Sequence, residues 1–177
     1  IEILKPSINE SFSKFTVVND KIRFAISSIK NVGETAVEDI IKERERNGKY
    51  KSFIDFCERQ SSDTVNKKCV ESLIKAGCFD EIETEYTRFD LLDNFEKIID
   101  GVVRTRKNNY INQMNFFGEI AGNDDRIKIE KSERVPSQRE LLDMEKEMLG
   151  MYLTGHPLDE YKELIEKNSN VSTIDLN

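Results

Sequence analysis

The stretch Ile26-Ser27-Ser28-Ile29-Lys30-Asn31-Val32-Gly33-Glu34-Thr35-Ala36-Val37-Glu38-Asp39-Ile40-Ile41 decides the fold. Ile26 and Ile29 precede the break at Asn31-Val32-Gly33. Beyond it Ala36, Val37, Ile40 and Ile41 recur at i, i+1, i+4 and i+5, one face of an α-helix. A short helix, a tight turn with a hydrophobe and a glycine, and a second helix running to about Arg46 predict a helix-hairpin-helix element, stopped by Asn47-Gly48. Such a turn points backbone N–H groups outward at a helix start, where the dipole also favours an anion. Gly33 allows a positive φ and the close approach of a phosphate. Asn31 stands where many such hairpins have another glycine, and Asn tolerates the left-handed region. The candidate phosphate-contacting residues are Lys30, Asn31, Val32, Gly33 and Thr35, with Lys42, Arg44 and Arg46 further down the second helix.

Upstream, Phe15-Thr-Val-Val18 and Lys21-Ile-Arg-Phe24 flank Asn19-Asp20, which predicts a small β-hairpin. Downstream, Ser52 caps a short helix through Phe53, Phe56 and Cys57, and Asn66 begins another carrying Val70, Leu73 and Ile74, with Gly77 at its C-terminal end. A longer amphipathic helix starts near Thr87 and uses Leu91, Leu92, Phe95, Ile98, Ile99 and Val102. Val65 to Val102 is therefore a second, weaker helix-turn-helix. Its turn, Lys75, Ala76 and Gly77, is a second candidate phosphate site. Carboxylates at Asp80 and Glu81 follow at once, so this unit is expected to serve partly as a packing partner for the first.

Helical periodicity fades near Asn108, and residues 108–135 read as a linker rich in Asn, Gly, Asp and Lys. Ser137 and Glu140 have capping-box spacing ahead of a helix that ends at Gly150. His156-Pro157 opens a last helix. The reading is a mainly α chain: an extended segment and β-hairpin at 1–24, a tandem helix-hairpin-helix domain at 25–107, the linker at 108–135, and C-terminal helices at 136–177.

Within the linker, Gln113-Met114-Asn115-Phe116-Phe117 is an apolar island in a polar setting. An exposed island of this kind costs solubility, so it meets a partner or folds back. Gln followed by hydrophobes at +1, +3 and +4 has the form of peptides that dock on replication sliding clamps. The aromatic pair fills an apolar pocket and the Gln amide fixes orientation.

Composition narrows the function classes. The chain has 177 residues, 37% hydrophobic and 34% charged, with a net charge of −7. The charge is unevenly spread: Lys21 to Lys51 holds eight basic residues against five acidic, while Cys78 to Asp100 holds eight acidic against two basic. A DNA-facing patch on the first part is compatible with the overall sign. Cys57, Cys69 and Cys78 lack CxxC spacing and His156 is the single histidine, so neither a disulfide framework nor a zinc site is expected. Reduced, buried thiols imply a cytoplasmic setting. No apolar run approaches the length of a membrane span. Ile1 to Pro6 has neither a Met start nor a signal-peptide pattern, and is expected to be an internal stretch of a longer chain.

Four stretches, in order, resemble the bacterial DNA polymerase III alpha subunit of the DnaE type: Ile3 to Ser11, Lys21 to Glu34, Val70 to Asp80, and Met148-Leu-Gly-Met-Tyr-Leu-Thr-Gly-His-Pro-Leu158. The resemblance covers essentially the whole chain. It implies a piece running from the end of the fingers through the tandem helix-hairpin-helix and clamp-binding region. Its partners would be duplex DNA held through phosphates, the replication sliding clamp, and the rest of the polymerase chain. Gln113 to Phe117 falls where that family carries its clamp peptide; Phe116 stands where Leu or Met is usual, and Asn31 replaces a frequent Gly. Polymerase chemistry needs converging carboxylates with two metal ions. Asp90, Asp93, Glu96 and Asp100 instead fall on the polar face of a helix, and His156 beside Pro157 is expected to cap. The piece is thus expected to be non-catalytic, without a cofactor or metal. Two other owners remain open: a helix-hairpin-helix accessory domain of a DNA repair enzyme, or a purely protein–protein scaffold.

Overall fold

The computed structural model describes residues 1–61, 63–114, 128–162 and 167. It begins with a three-stranded sheet: β1 (Ile3–Leu4), β2 (Thr16–Val18) and β3 (Lys21–Arg23), in the order β1-β3-β2. The β2–β3 hairpin pairs Val17 with Ile22 around Asn19 and Asp20, whose φ angles of 50° and 62° fit a turn with two left-handed residues. β1 adds to β3 in parallel, with Ile3 opposite Ile22. That pairing joins residues some twenty positions apart, and no local pattern announces it.

After a 3-10 turn at Ile26–Ser28 come α1 (Glu34–Asn47), α2 (Phe53–Arg59), α3 (Lys67–Lys75), α4 (Arg88–Met114) and α5 (Gln138–Leu149). Local chemistry sets most boundaries. Ser52 Oγ accepts the Asp55 N–H, and Asn66 Oδ1 accepts the Cys69 N–H. Ser137 and Glu140 form a reciprocal capping box. Gly77 (φ +79) closes α3 with its N–H on the Ile74 carbonyl and the Cys78 N–H on that of Leu73, a Schellman arrangement in which a Cβ would be strained.

One core unites these elements. Ile8, Phe24, Ile26, Val37, Ile40, Tyr50, Phe53, Phe56, Leu73, Phe79 and Ile98 are all buried in it. Phe53, Phe56 and Phe79 meet edge to face at centroid spacings of 5.0 Å. Cys57, Cys69 and Cys78 are buried free thiols, and burial pushes the first two up to about 12 and about 11.

The stretch read as a linker is shorter in the structure. α4 continues to Met114, past the point where apolar periodicity stops, because an α-helix once nucleated needs only tolerant residues to propagate. At the other end, residues 128–132 return to the domain. Ile129 is buried, Asn94 Nδ2 donates to the Glu130 carbonyl at 2.8 Å, and the Ser132 N–H donates to Asp90. Among the described residues no helix is long and apolar enough to cross a membrane.

Candidate nucleic-acid interface

The first hairpin turn is built around Asn31. Its φ of 64° is the left-handed conformation expected of it, and its side-chain amide donates to Ser72 Oγ on α3 at 3.1 Å. Gly33 does not use the positive φ open to a glycine: it is extended, at φ −79° and ψ 155°, as the N-cap of α1. A Cβ at Gly33 would meet nothing within 4 Å. The glycine leaves open space in front of the helix and, lacking a side chain, leaves its first turn uncapped. Among the described residues, the N–H groups of Gly33, Glu34 and Thr35 make no hydrogen bond, and all three residues are exposed. Donors at a helix start with solvent in front of them are what an anion needs.

Two neighbouring amides are spent internally. The Lys30 N–H donates to the Met148 carbonyl at the end of α5 (3.0 Å), and the Val32 N–H to Ile29 (3.2 Å). Val32 belongs to the core, at 7% exposure, so its side chain anchors the turn and is not presented outward. The Lys30 side chain is exposed beside the open amides. Lys42 is exposed two turns along α1, paired to Glu38 at 3.0 Å. Arg44 points the other way: it is buried, donates to the Ile8 carbonyl at 2.8 Å and lies over the Phe12 ring.

The second turn is closed. Ala76 and Gly77 are buried, and Lys75 is half-buried against Glu71 at 2.7 Å. The space over Gly77 belongs to Arg88 at the start of α4; a Cβ on Gly77 would stand 2.3 Å from its Nη2. Arg88 donates to the Lys75 carbonyl and, through two nitrogens, to Asp80 at 3.0 and 2.6 Å. It also faces Glu145, 1% exposed, at 3.5 Å. Burial works against the Arg88 charge, but the Asp80 and Glu145 carboxylates together more than offset it and hold its pKa above the ordinary value. Lys75, Ala76 and Gly77 are therefore not presented to a phosphate. A guanidinium from the protein itself has taken the turn, and carboxylates surround it.

Glu145 also accepts the Leu153 and Thr154 N–H groups at 3.1 Å and the Thr154 hydroxyl at 2.9 Å, which ties the Leu-Thr-Gly-His-Pro segment to α5. Sequence reading missed Ser72, Arg88 and Glu145. Each lies on a helix where its residue type is ordinary, and its partner is distant in sequence. Asp90 was expected on a solvated face. It is buried and accepts from the Thr87 N–H and hydroxyl and from Ser132, whereas Asp93, Glu96 and Asp100 are exposed. His156 Nδ1 accepts the Leu158 N–H at 3.2 Å, a contact inside a turn. The helix expected to open at His156-Pro157 is, among the described residues, a 3-10 turn at Asp159–Tyr161 with Leu158 as its N-cap and no side-chain cap, so the capping expected of His156 is not seen. Among the described residues no group of three His, Cys, Asp or Glu is placed to hold a metal. Of the candidate clamp peptide, Gln113 and Met114 close the α4 backbone; Asn115, Phe116 and Phe117 lie outside the described residues.

A family model described as the helix-hairpin-helix motif matches residues 1–90, about half the chain. DNA polymerase III subunit alpha of Borreliella burgdorferi is 40% identical over 179 residues, covering 98% of this chain and 15% of that protein. The subunits of that name from Saccharopolyspora erythraea (34%, covering 93% and 14%) and Chlamydia pneumoniae (38%, covering 97% and 14%) are similar to it as well. The chain thus spans about 15% of the length of the relatives it matches. With the motif covering the sheet, the first hairpin and the turn of the second, and the alignment running nearly end to end within one segment of these subunits, the chain belongs to the helix-hairpin-helix family in the form carried by bacterial DNA polymerase III alpha subunits.

Proposed function

We propose that this chain is the non-catalytic part of a cytoplasmic replicative DNA polymerase that holds duplex DNA by its phosphates and tethers the enzyme to a sliding clamp. The open amides of Gly33, Glu34 and Thr35, flanked by the exposed Lys30, carry the DNA half of this reading. They can bond phosphate oxygens but reach no base edge, so the grip is independent of sequence and steeply dependent on salt. One open hairpin touches few phosphates, so the affinity of the isolated chain is low. The names of the relatives favour a polymerase over a repair enzyme as the owner. The tether half rests on the form of Gln113 to Phe117 and on its place late in the chain.

Two measurements test the halves separately. Fluorescence anisotropy on a labelled duplex across a salt series is expected to give a negative slope of log K against log salt that shrinks in the Lys30→Glu, Lys42→Glu double variant. A flat salt dependence would remove the DNA grip. In a pull-down, a bacterial sliding clamp is expected to retain the chain and to lose it on replacement of Phe116 and Phe117 by Ala; retention of that variant would remove the tether.

A further inference from the structure

Beyond the hairpin turn, α1 forms one wall of a groove whose other wall is the end of α2 and the residues after it. Asp39, Lys42, Glu43, Arg46, Arg59, Gln60 and Ser61 line a space of about 240 Å³. Asp39, Lys42, Glu43 and Arg46 fall at i, i+3, i+4 and i+7, a single stripe of the helix. Three cations face two carboxylates, and the internal pairing is specific. Arg59 bonds Glu43 at 3.0 Å, Asp55 at 3.2 Å and the Gly48 carbonyl at 2.7 Å, which leaves it the floor of the groove. The Asn47 amide and Arg59 hold the Glu43 carboxyl below its usual range, so its charge is permanent but matched. Lys42 leans on Glu38, which is outside the groove. Arg46 is exposed and has no ion-pair partner among the described residues. Arg106 of α4 donates to the Glu58 and Gln60 carbonyls and so holds the end of α2 that forms the second wall.

We propose that this groove seats a second phosphate of the same duplex, bonded by Arg46 and Lys42 from one wall and by the exposed Ser61 from the other. The inference rests on the hairpin reading above and extends its footprint. Along α1, Arg46 lies roughly 20 Å from Gly33 at 1.5 Å per residue, too far for both to hold one phosphate. Contact at both ends would fix the direction of α1 against the backbone, where a turn alone would act as a pivot. Asp39 opposes the phosphate and keeps the contact weak.

Anisotropy titrations of the chain on a random duplex, in wild type, Lys30→Glu, Arg46→Glu, Arg46→Lys and Asp39→Asn, provide the test. Arg46→Glu is expected to weaken binding several-fold and to reduce the salt slope by about one unit; Arg46→Lys keeps most of both, and Asp39→Asn tightens binding. If Lys30→Glu weakens binding while Arg46→Glu and Asp39→Asn match wild type, the groove is overturned and the hairpin grip stands. If wild type shows no salt-dependent binding at all, both fall. Inorganic phosphate, followed by backbone amide NMR shifts at Arg46 and Ser61, separates the sources. Shifts caused by phosphate but not by duplex would overturn the assignment to DNA.

Discussion

The two hairpins have the same plan and opposite fates. In the first, Asn31 takes the left-handed position, Gly33 leaves the helix start bare, and three amides face solvent. In the second, Gly77 takes the left-handed position, the Gly77 and Cys78 N–H groups are bonded to the last carbonyls of α3, and Arg88 covers the turn with Asp80 and Glu145 behind it. Two copies of one plan thus differ in form: one leaves its turn open to solvent, and the other is the joint where α3, α4 and α5 meet. The joint also supports the open copy. Ser72 of α3 holds the Asn31 side chain, and Met148 of α5 accepts the Lys30 N–H.

The sharpest way to break this contrast is Arg88→Ala. It strips a buried partner from Asp80 and Glu145, and removing one member of a buried ion pair costs about 3–5 kcal/mol. Urea unfolding is expected to show that loss; a change below about 1 kcal/mol would mean the joint is not structural.

Next in size is the glycine pair. Gly77→Ala meets Arg88 at 2.3 Å with φ at +79°, so strain and overpacking together are expected to cost about 2–4 kcal/mol. Gly33→Ala has open space and ordinary backbone, and should cost under about 1 kcal/mol while weakening duplex binding. Equal destabilisation at the two sites would erase the distinction.

Asp90 offers a pH test of the joint's periphery. Burial raises its pKa, but the Thr87 and Ser132 donors outweigh burial and the net shift is downward. A depressed carboxylate contributes stability that is complete above its unfolded value near pH 4 and is lost as pH falls through the folded value. Asp90→Asn should therefore lower stability at pH 7 by about 1 kcal/mol and flatten the acid limb of the stability curve. An unchanged acid limb would remove Asp90 as a cap.

The smallest effect is expected at Asn31→Gly. Glycine relieves the left-handed backbone by about 0.5–1 kcal/mol, and the lost bond to Ser72 removes a similar amount. Stability should hardly move, while the unpinned turn should bind duplex less well. Tighter binding in this variant would show that Ser72 does not position the turn.

How much could be read in advance follows the range of each interaction. Asn19-Asp20, Ser52, Asn66, Gly77, the Ser137–Glu140 box and Gly150 act within about four residues, and each stands where its residue type predicted. Asn31 belongs with them, since its conformation is a property of its own side chain. Gly33 shows the limit: glycine permits positive φ without requiring it, and the N-cap geometry of α1 settled the matter.

Local sequence determined where most helices start, how α3 and α5 end, and the β-hairpin, because those depend on neighbours along the chain. Tertiary structure alone decided that Arg44 turns inward, that β1 joins β3, that residues 128–132 dock on α4, and that Arg88 seals the second turn. Each of those outcomes depends on a partner 8 to 57 residues away. The free energy of such a contact arises only once a shared core has brought the two ends together.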